Sequence, residues 1–296
     1  MIIALGDLML DIVVQSSSFV LHGTDCAARA SISPGGSAAN FAVWATRLGA
    51  KTGLIAKVGD DLFGHALLHD LEQEKVASGV VMGKETTGFT LMILDQSGEH
   101  TMLAARSANA TLSIEELDWA LLDQADWLHL TAYSFFEDKP REAALAAIQY
   151  MKERGKPVSL DPASSSYLQR IGAAAFLPLA QGVDVFFPNL DEGRAVTGEH
   201  EPEQILRALL PHFPIVVLKM GENGAIAGTR DTMLYCPGFS VPVVDTTGAG
   251  DAFAAAFVVT WLTRHDLAAA LSEGNRLAAG VIQVAGARAM ASLPAP

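Results

Sequence analysis

Residues 245–253 read DTTGAGDAF, two acids and two threonines around a Gly-Ala-Gly turn, and an apolar run suited to a helix follows. The glycines let the N–H groups of Ala249, Gly250 and Asp251 converge as an anion-binding nest, to which the helix adds the positive end of its dipole. A carboxylate in that place competes with an anion unless it works on it. The conflict disappears if Asp251 acts as a base, taking a proton from a hydroxyl while that oxygen attacks phosphorus. Gly248, Ala249 and Gly250 would then stabilise charge on the transferred group. The plainer reading is a capping carboxylate, and it leaves the glycines unexplained.

Three other segments carry weaker signals. In PGGSAANFAVWATRLGA (34–50), Gly35 and Gly36 allow close backbone approach to a ligand at a helix start, and Asn40 lies just over one turn in. An ordinary strand-to-helix turn accounts for them equally. In FFPNLDEGRAVTG (186–198), Asn189 and Glu192 make a capping-box pattern; the alternative is a pair organising hydrated magnesium. LKMGENGA (218–225) sets Lys219 at a strand end before a turn with Gly221 and Gly224, to meet a phosphate or merely solvent.

The remaining composition narrows the class. With 296 residues, half of them hydrophobic, the chain has enough material for a large α/β core. Its net charge of −13 argues against a nucleic-acid partner but leaves small nucleotides open. Two isolated cysteines, Cys26 and Cys236, form neither a disulfide framework nor a zinc site, which fits a reducing cytoplasm. The apolar N-terminus MIIALGDLMLDIVV lacks a basic leader region and reads as a first strand. AFAAAFVVTWL is too short to cross a bilayer, so no membrane partner is expected. G-x-x-x-x-G-K-[ST], a well-placed G-x-G-x-x-G and G-x-S-x-G are all missing from the chain.

The elements that must hold these residues alternate. TGLIAKVG, ADWLHLT, KPVSLD, VDVFFPN and FPIVVLKMG read as buried strands. DLFGHALLHDLEQE, KPREAALAAIQYMKERG and EPEQILRALLPHF read as helices. Such alternation predicts a parallel sheet with helices on both faces and a ligand at the strands' carboxyl ends. Two regions break it: residues 11 to about 33, with extended pieces joined by HGTDC, and residues 87–105, a hairpin around DQSG. Together they form either a small projecting sheet that acts as a lid or an edge extension of the main sheet.

Taken in order, GDLMLD, GGSAANFAVWATRLGA, NLDE, KMGENG and DTTGAGDAF resemble the ribokinase-like, PfkB-type carbohydrate kinases over nearly the whole chain. The resemblance implies a single three-layer α/β/α domain over residues 1–296, with a mostly parallel central sheet and a small β-sheet lid from segments of about 11–34 and 86–106. It implies ATP-dependent phosphorylation of a hydroxyl on a small sugar, with Mg2+. Asp251 matches the base, and Gly248, Ala249 and Gly250 match the anion hole. Asp11, Gly35, Gly36, Ser37 and Asn40 match positions that hold substrate. Asn189, Glu192, Lys219, Gly221, Thr246 and Asn275 fall where the family holds nucleotide and metal, with Glu192 reaching Mg2+ through water. Asp245 and Thr247 fall where many members bind K+. A homodimer through the lid is a further implication.

Substrate is where the chain departs from the pattern. Many ribokinases have lysine where Ser37 stands, and Arg106, in AARSANATL, falls near an arginine of sugar-acid and fructose kinases. A sugar is the first expectation and a nucleoside the second. A non-catalytic sensor on the same fold would lack the base, the Gly-Ala-Gly or the N-x-x-E pattern; all three are present.

Overall fold

The chain runs up into the molecule's centre and leaves it again within eleven residues. In the computed structural model, which describes residues 1–16, 23, 25–94, 100–291 and 293, the N-terminal run is not one strand but two. The strands, in chain order, are β1 (Ile2–Leu5), β2 (Met9–Ser16), β3 (Ala28–Gly35), β4 (Thr52–Gly59), β5 (Ala77–Gly83), β6 (Phe89–Leu94) and β7 (His100–Ala105). They continue with β8 (Trp127–Thr131), β9 (Val158–Asp161), β10 (Val185–Phe186), β11 (Ile215–Lys219), β12 (Ala225–Gly228) and β13 (Met233–Cys236). β1 belongs to a nine-stranded sheet and β2 to a separate four-stranded one. The break falls at Gly6, where an added Cβ would lie 2.9 Å from the Ala38 side chain, so the chain can pass only with a glycine there.

The large sheet has the order β13-β12-β11-β10-β9-β8-β1-β4-β5. Its strands are parallel from β11 to β5, and β12 and β13 return antiparallel at one edge. Both faces are covered. Along β1, Ile2 and Ala4 point into one core and Ile3 and Leu5 into the other, the period-two alternation of a strand with no solvent face. Helices Ser37–Arg47, Leu62–Gln73, Ala249–Arg264 and Leu267–Val281 build the first core with Phe41, Trp44, Phe253, Phe257 and Leu271. On the opposite face, Asp138–Glu153 and Pro202–Leu209 contribute Ile148, Met151, Ile205 and Leu206. The run AFAAAFVVTWL is explained by this layer: it lies in the helix Ala249–Arg264, whose residues Ala252 to Val258 are all buried. Among the described residues, no helix is long and apolar enough to cross a membrane.

The two irregular regions form the second sheet, in the order β3-β2-β6-β7. β2–β3 and β6–β7 pair antiparallel, while the central pair β2–β6 is parallel. It is therefore a sheet of its own and not an edge extension of the large one. The DQSG turn and part of the HGTDC turn lie outside the described residues. Ile32, Met102 and Leu103 on this sheet are exposed.

Candidate active site

The carboxyl ends of β1, β8, β9 and β11 deliver Asp7, Thr131, Asp161 and Lys219 to one end of the large sheet, where two helices begin. The first helix, Ser37–Arg47, starts from Gly36 with φ +92°, and a Cβ there would sit 2.3 Å from the Asp7 carbonyl oxygen. The second, Ala249–Arg264, starts from Gly248 with φ +77°, a left-handed conformation that glycine adopts without strain. Asp251 stands in its first turn. Ala249 N–H is taken up by the Thr246 carbonyl at 3.2 Å, so the expected nest is smaller than its three residues. Among the described residues, no hydrogen bond takes up the N–H of Gly250 or Asp251; both belong to the helix end that is free to meet an anion.

Asp251 joins the two helix starts. Ser37 donates its hydroxyl to Oδ1 at 2.6 Å, and Asn40 donates Nδ2–H to Oδ2 at 3.0 Å. Burial pushes the Asp251 carboxyl up to about 7, against the pull of these two donors and of Lys219 and with help from the Asp161 charge. A carboxylate poised there can exchange a proton near neutral pH.

Lys219, at the end of β11, is ion-paired with Asp161, at the end of β9. A Cβ on Gly250 would lie 3.2 Å from the Lys219 ammonium, so this pair faces the start of the Asp251 helix. Burial works against the lysine's charge, but Asp161 and Glu192 outweigh it and hold the ammonium above the ordinary lysine range. Asn189 pairs with Lys219 in an isolated bridge and caps the helix Leu190–Thr197. The capping box is complete: Glu192 N–H donates to Asn189 Oδ1 at 2.9 Å and Asn189 N–H to Glu192 Oε2 at 2.8 Å. Burial, reinforced by Asp161 and opposed by Lys219, raises the Glu192 carboxyl. Cap and charged cluster are thus the same residues.

On the other side of Asp251, the Asp11 carboxylate lies over Gly35, where a Cβ would meet it at 2.1 Å. Burial raises Asp11 to about 6, Arg288 opposing and Asp245 adding to the shift. Arg106 grips Asp7 with Nε at 2.9 Å and Nη2 at 2.6 Å, while its buried Nη1 has no hydrogen-bond partner among the described residues. Asp245 receives the N–H of Thr247 and of Gly286, both at 2.9 Å, bracing the loop that leads into Gly248. The side chain of Thr246 is exposed beside it.

Asn275 and the Gly221 turn, which follows Lys219 directly, make no hydrogen bond to Asp251 among the described residues. The Asn275 amide donates to the carbonyls of Cys236 and Pro237, each at 3.1 Å. Gly224, which closes the turn begun by exposed Gly221, packs against the same Cys236 carbonyl. These residues mark a second neighbourhood at the β13 end, away from the hydrogen bonds of Asp251. Three contributors were not singled out as site residues in the sequence: Asp7, which stands inside GDLMLD, Asp161 and Arg288. Arg288 donates Nε–H to Asn40 Oδ1 at 2.9 Å. Asp161 had a weak clue, being the last residue of a predicted strand.

The geometry combines a carboxyl of raised pKa, a helix start whose Gly250 and Asp251 N–H groups make no hydrogen bond among the described residues, and a largely buried lysine facing it. Such a set can abstract a proton and stabilise a phosphoryl group at adjacent points. The family model described as pfkB family carbohydrate kinase matches residues 1–295. An ATP-dependent ribose-1-phosphate kinase of Halopiger xanaduensis is 36% identical over 86% of this chain and 82% of its own length. A fructokinase of Escherichia coli is 30% identical over 98% of this chain and 95% of its own. In fold, the crystal structure of adenosine kinase from Sinorhizobium meliloti superposes with a TM-score of 0.87, covering 97% of this chain and 95% of that one at 22% identity.

Proposed function

We infer the reaction from one premise: the chain belongs to the pfkB family of carbohydrate kinases. The protein phosphorylates a hydroxyl of a small sugar with ATP. The observation that carries this reading is Asp251, held by Ser37 and Asn40 at a helix start and raised to about 7.

In the reaction, the Asp251 carboxylate takes the proton of the acceptor hydroxyl as that oxygen forms its bond to the γ-phosphorus. The bond from the γ-phosphorus to the β–γ bridging oxygen breaks, and ADP leaves with that oxygen. Gly248, Ala249 and Gly250 form the anion hole, in which the free N–H of Gly250 and that of Asp251 face the charge that develops. Lys219 holds the phosphates, and Asp161 keeps its ammonium in place. Asp11, Gly35, Gly36, Ser37 and Asn40 surround the sugar, and Arg106 reaches it from the end of β7 with its remaining N–H. Thr246, Gly221 and Asn275 hold the rest of the nucleotide.

The residues suit magnesium better as a guest of the phosphates than as a caged ion. Among the described residues, no group of three His, Cys, Asp or Glu side chains can hold a metal. Glu192 and Asn189 offer oxygen donors in a negatively charged spot, and Glu192 would reach the ion through water. When bound, magnesium neutralises charge on the phosphate oxygens. A potassium ion would be held by Asp245 and Thr247, sharing the Asp245 carboxylate with two main-chain N–H groups.

The small sheet acts as a lid that excludes water from the transfer. Its exposed apolar residues Ile32, Met102 and Leu103 favour a homodimer through the lid. A single domain over residues 1–296, with lid segments of about 11–34 and 86–106, accommodates both sheets. A nucleoside is the second substrate class, and the site it would share is the same.

An ADP-release screen with pentoses, hexoses, sugar acids, sugar phosphates and nucleosides tests the reading. Turnover on a sugar supports it, and turnover on nucleosides alone moves the assignment to the second class. Ligand binding without turnover on any compound would instead mark a sensor.

A further inference from the structure

Arg288 is a charged residue in the site that phosphoryl transfer, as described above, leaves without a task. Its side chain is 8% exposed and lies in a stretch that matches no motif. The backbone around it is pinned by the helix Ser37–Arg47: Trp44 Nε1–H donates to the Ala287 carbonyl at 3.0 Å, and Arg47 Nη1–H to the Arg288 carbonyl at 2.5 Å. The guanidinium then reaches back to the start of the same helix. Nε donates to Asn40 Oδ1 at 2.9 Å, Nη2 to the Gly35 carbonyl at 3.2 Å and Nη1 to Asp70 at 2.5 Å. Ala287 also touches the Asp251 helix, since a Cβ on Gly248 would meet the Ala287 methyl at 2.7 Å.

A primary amide has a donor end and an acceptor end, and the hydrogen bonds around it decide which way it faces. Guanidinium only donates, so the Asn40 atom facing Arg288 must be the oxygen. The nitrogen then faces Asp251 Oδ2, an acceptor whenever the carboxyl is ionised. Without Arg288 only Asp251 orients the amide, which loses the donor that holds its oxygen away from the carboxyl. Burying a guanidinium is costly, and Asp70 offsets much of that cost. Asp70 alone, however, gives no reason for the bond to Asn40.

We propose that Arg288 is a positioning residue: it locks the Asn40 amide so that its N–H, and not its oxygen, meets the Asp251 carboxylate. This rests on the reading of Asp251 as the base.

The test uses full-length, 15N-labelled protein without ligand, together with steady-state turnover. The side-chain NH2 signals of Asn40, identified by their loss in Asn40→Ala, are compared in wild type, Arg288→Lys and Arg288→Met. The lock predicts wild-type signals displaced from the positions of a free asparagine amide, because one N–H is held against the Asp251 carboxylate. They stay displaced, at shifted positions, in Arg288→Lys and move toward the free positions or broaden in Arg288→Met. In turnover, Arg288→Met lowers kcat about 10-fold, the scale of one hydrogen bond to a charged group, with the KM for ATP within about twofold. Arg288→Lys recovers part of the loss, and Arg288→Met adds less than about twofold in the Asn40→Ala background. Unchanged Asn40 signals in Arg288→Met overturn the proposal, as does an equal loss of kcat with and without Asn40. Should Arg288→Met fail to fold, Arg288→Lys decides by whether its Asn40 signals shift. If the wild type transfers no phosphate, the reading of the reaction fails, and the NMR comparison still decides the role of Arg288.

Discussion

Ser37 and Asp251 lie 214 residues apart in the chain and 2.6 Å apart in the fold, the hydroxyl of one donating to the carboxylate of the other. The bond opposes the effect of burial on Asp251 by favouring the ionised form. Removing it has a defined sign. A hydrogen bond to a charged group is worth roughly 1.5 kcal/mol, so Ser37→Ala raises the Asp251 midpoint by about one pH unit.

The pH profile of kcat/KM reads this directly. The base must be ionised, so wild-type activity falls as pH drops through about 7. In Ser37→Ala the same fall occurs at higher pH, whatever the height of the alkaline plateau. An acid limb that stays in place after Ser37→Ala would detach the hydroxyl from the base.

Lys219 and Asp161 make the second test, on stability. Both side chains are largely buried, at 14% and 8% exposure. Lys219→Met leaves Asp161 buried without its partner beside the raised carboxyl of Glu192. The expected loss is about 3 kcal/mol in urea unfolding, typical of a broken buried pair. Lys219→Met combined with Asp161→Asn recovers part of that stability while leaving ATP binding weak. Full stability in the single variant would show that water reaches the pair.

Gly248 and Gly250 stand two residues apart in the motif and separate shape from chemistry. At Gly248, φ of +77° strains alanine, and its Cβ would lie 2.7 Å from the Ala287 methyl and carbonyl oxygen. Gly248→Ala is expected to lower stability by about 1–3 kcal/mol. At Gly250 the nearest atom to an added Cβ is the Lys219 ammonium at 3.2 Å, the tip of a flexible side chain. Gly250→Ala therefore keeps its melting temperature and loses turnover. Equal melting-temperature losses would mean that both glycines serve the turn alone.

Much of this site was legible because its signals are local. Gly-Ala-Gly before an apolar run announced the helix that starts at Ala249, and Asn189 with Glu192 announced a capping box that the structure completes. Buried parallel strands read as unbroken apolar runs, so β4, β8 and β11 stood out in the sequence. What stayed hidden depends on contacts across the fold. Arg288 meets Asn40 across 248 residues, Arg106 meets Asp7 across 99, and Lys219 meets Asp161 across 58. No spacing rule reaches such pairs. The split between β1 and β2 was missed for a different reason: GDLMLD carries apolar residues straight through a change of sheet. Only the crowding of Gly6 against Ala38 marks the exit.

The central claim is that Asp251 removes the acceptor's proton, and Asp251→Asn tests it most directly. The exchange keeps the shape and the bonding sites for Ser37 and Asn40 but removes the base. ADP release with the best sugar from the screen should fall by about 100- to 10,000-fold, the range of a lost general base. ATP affinity by calorimetry and the melting temperature should stay close to wild type. Turnover within about 10-fold of wild type, in a variant that is folded and binds ATP, would contradict the account.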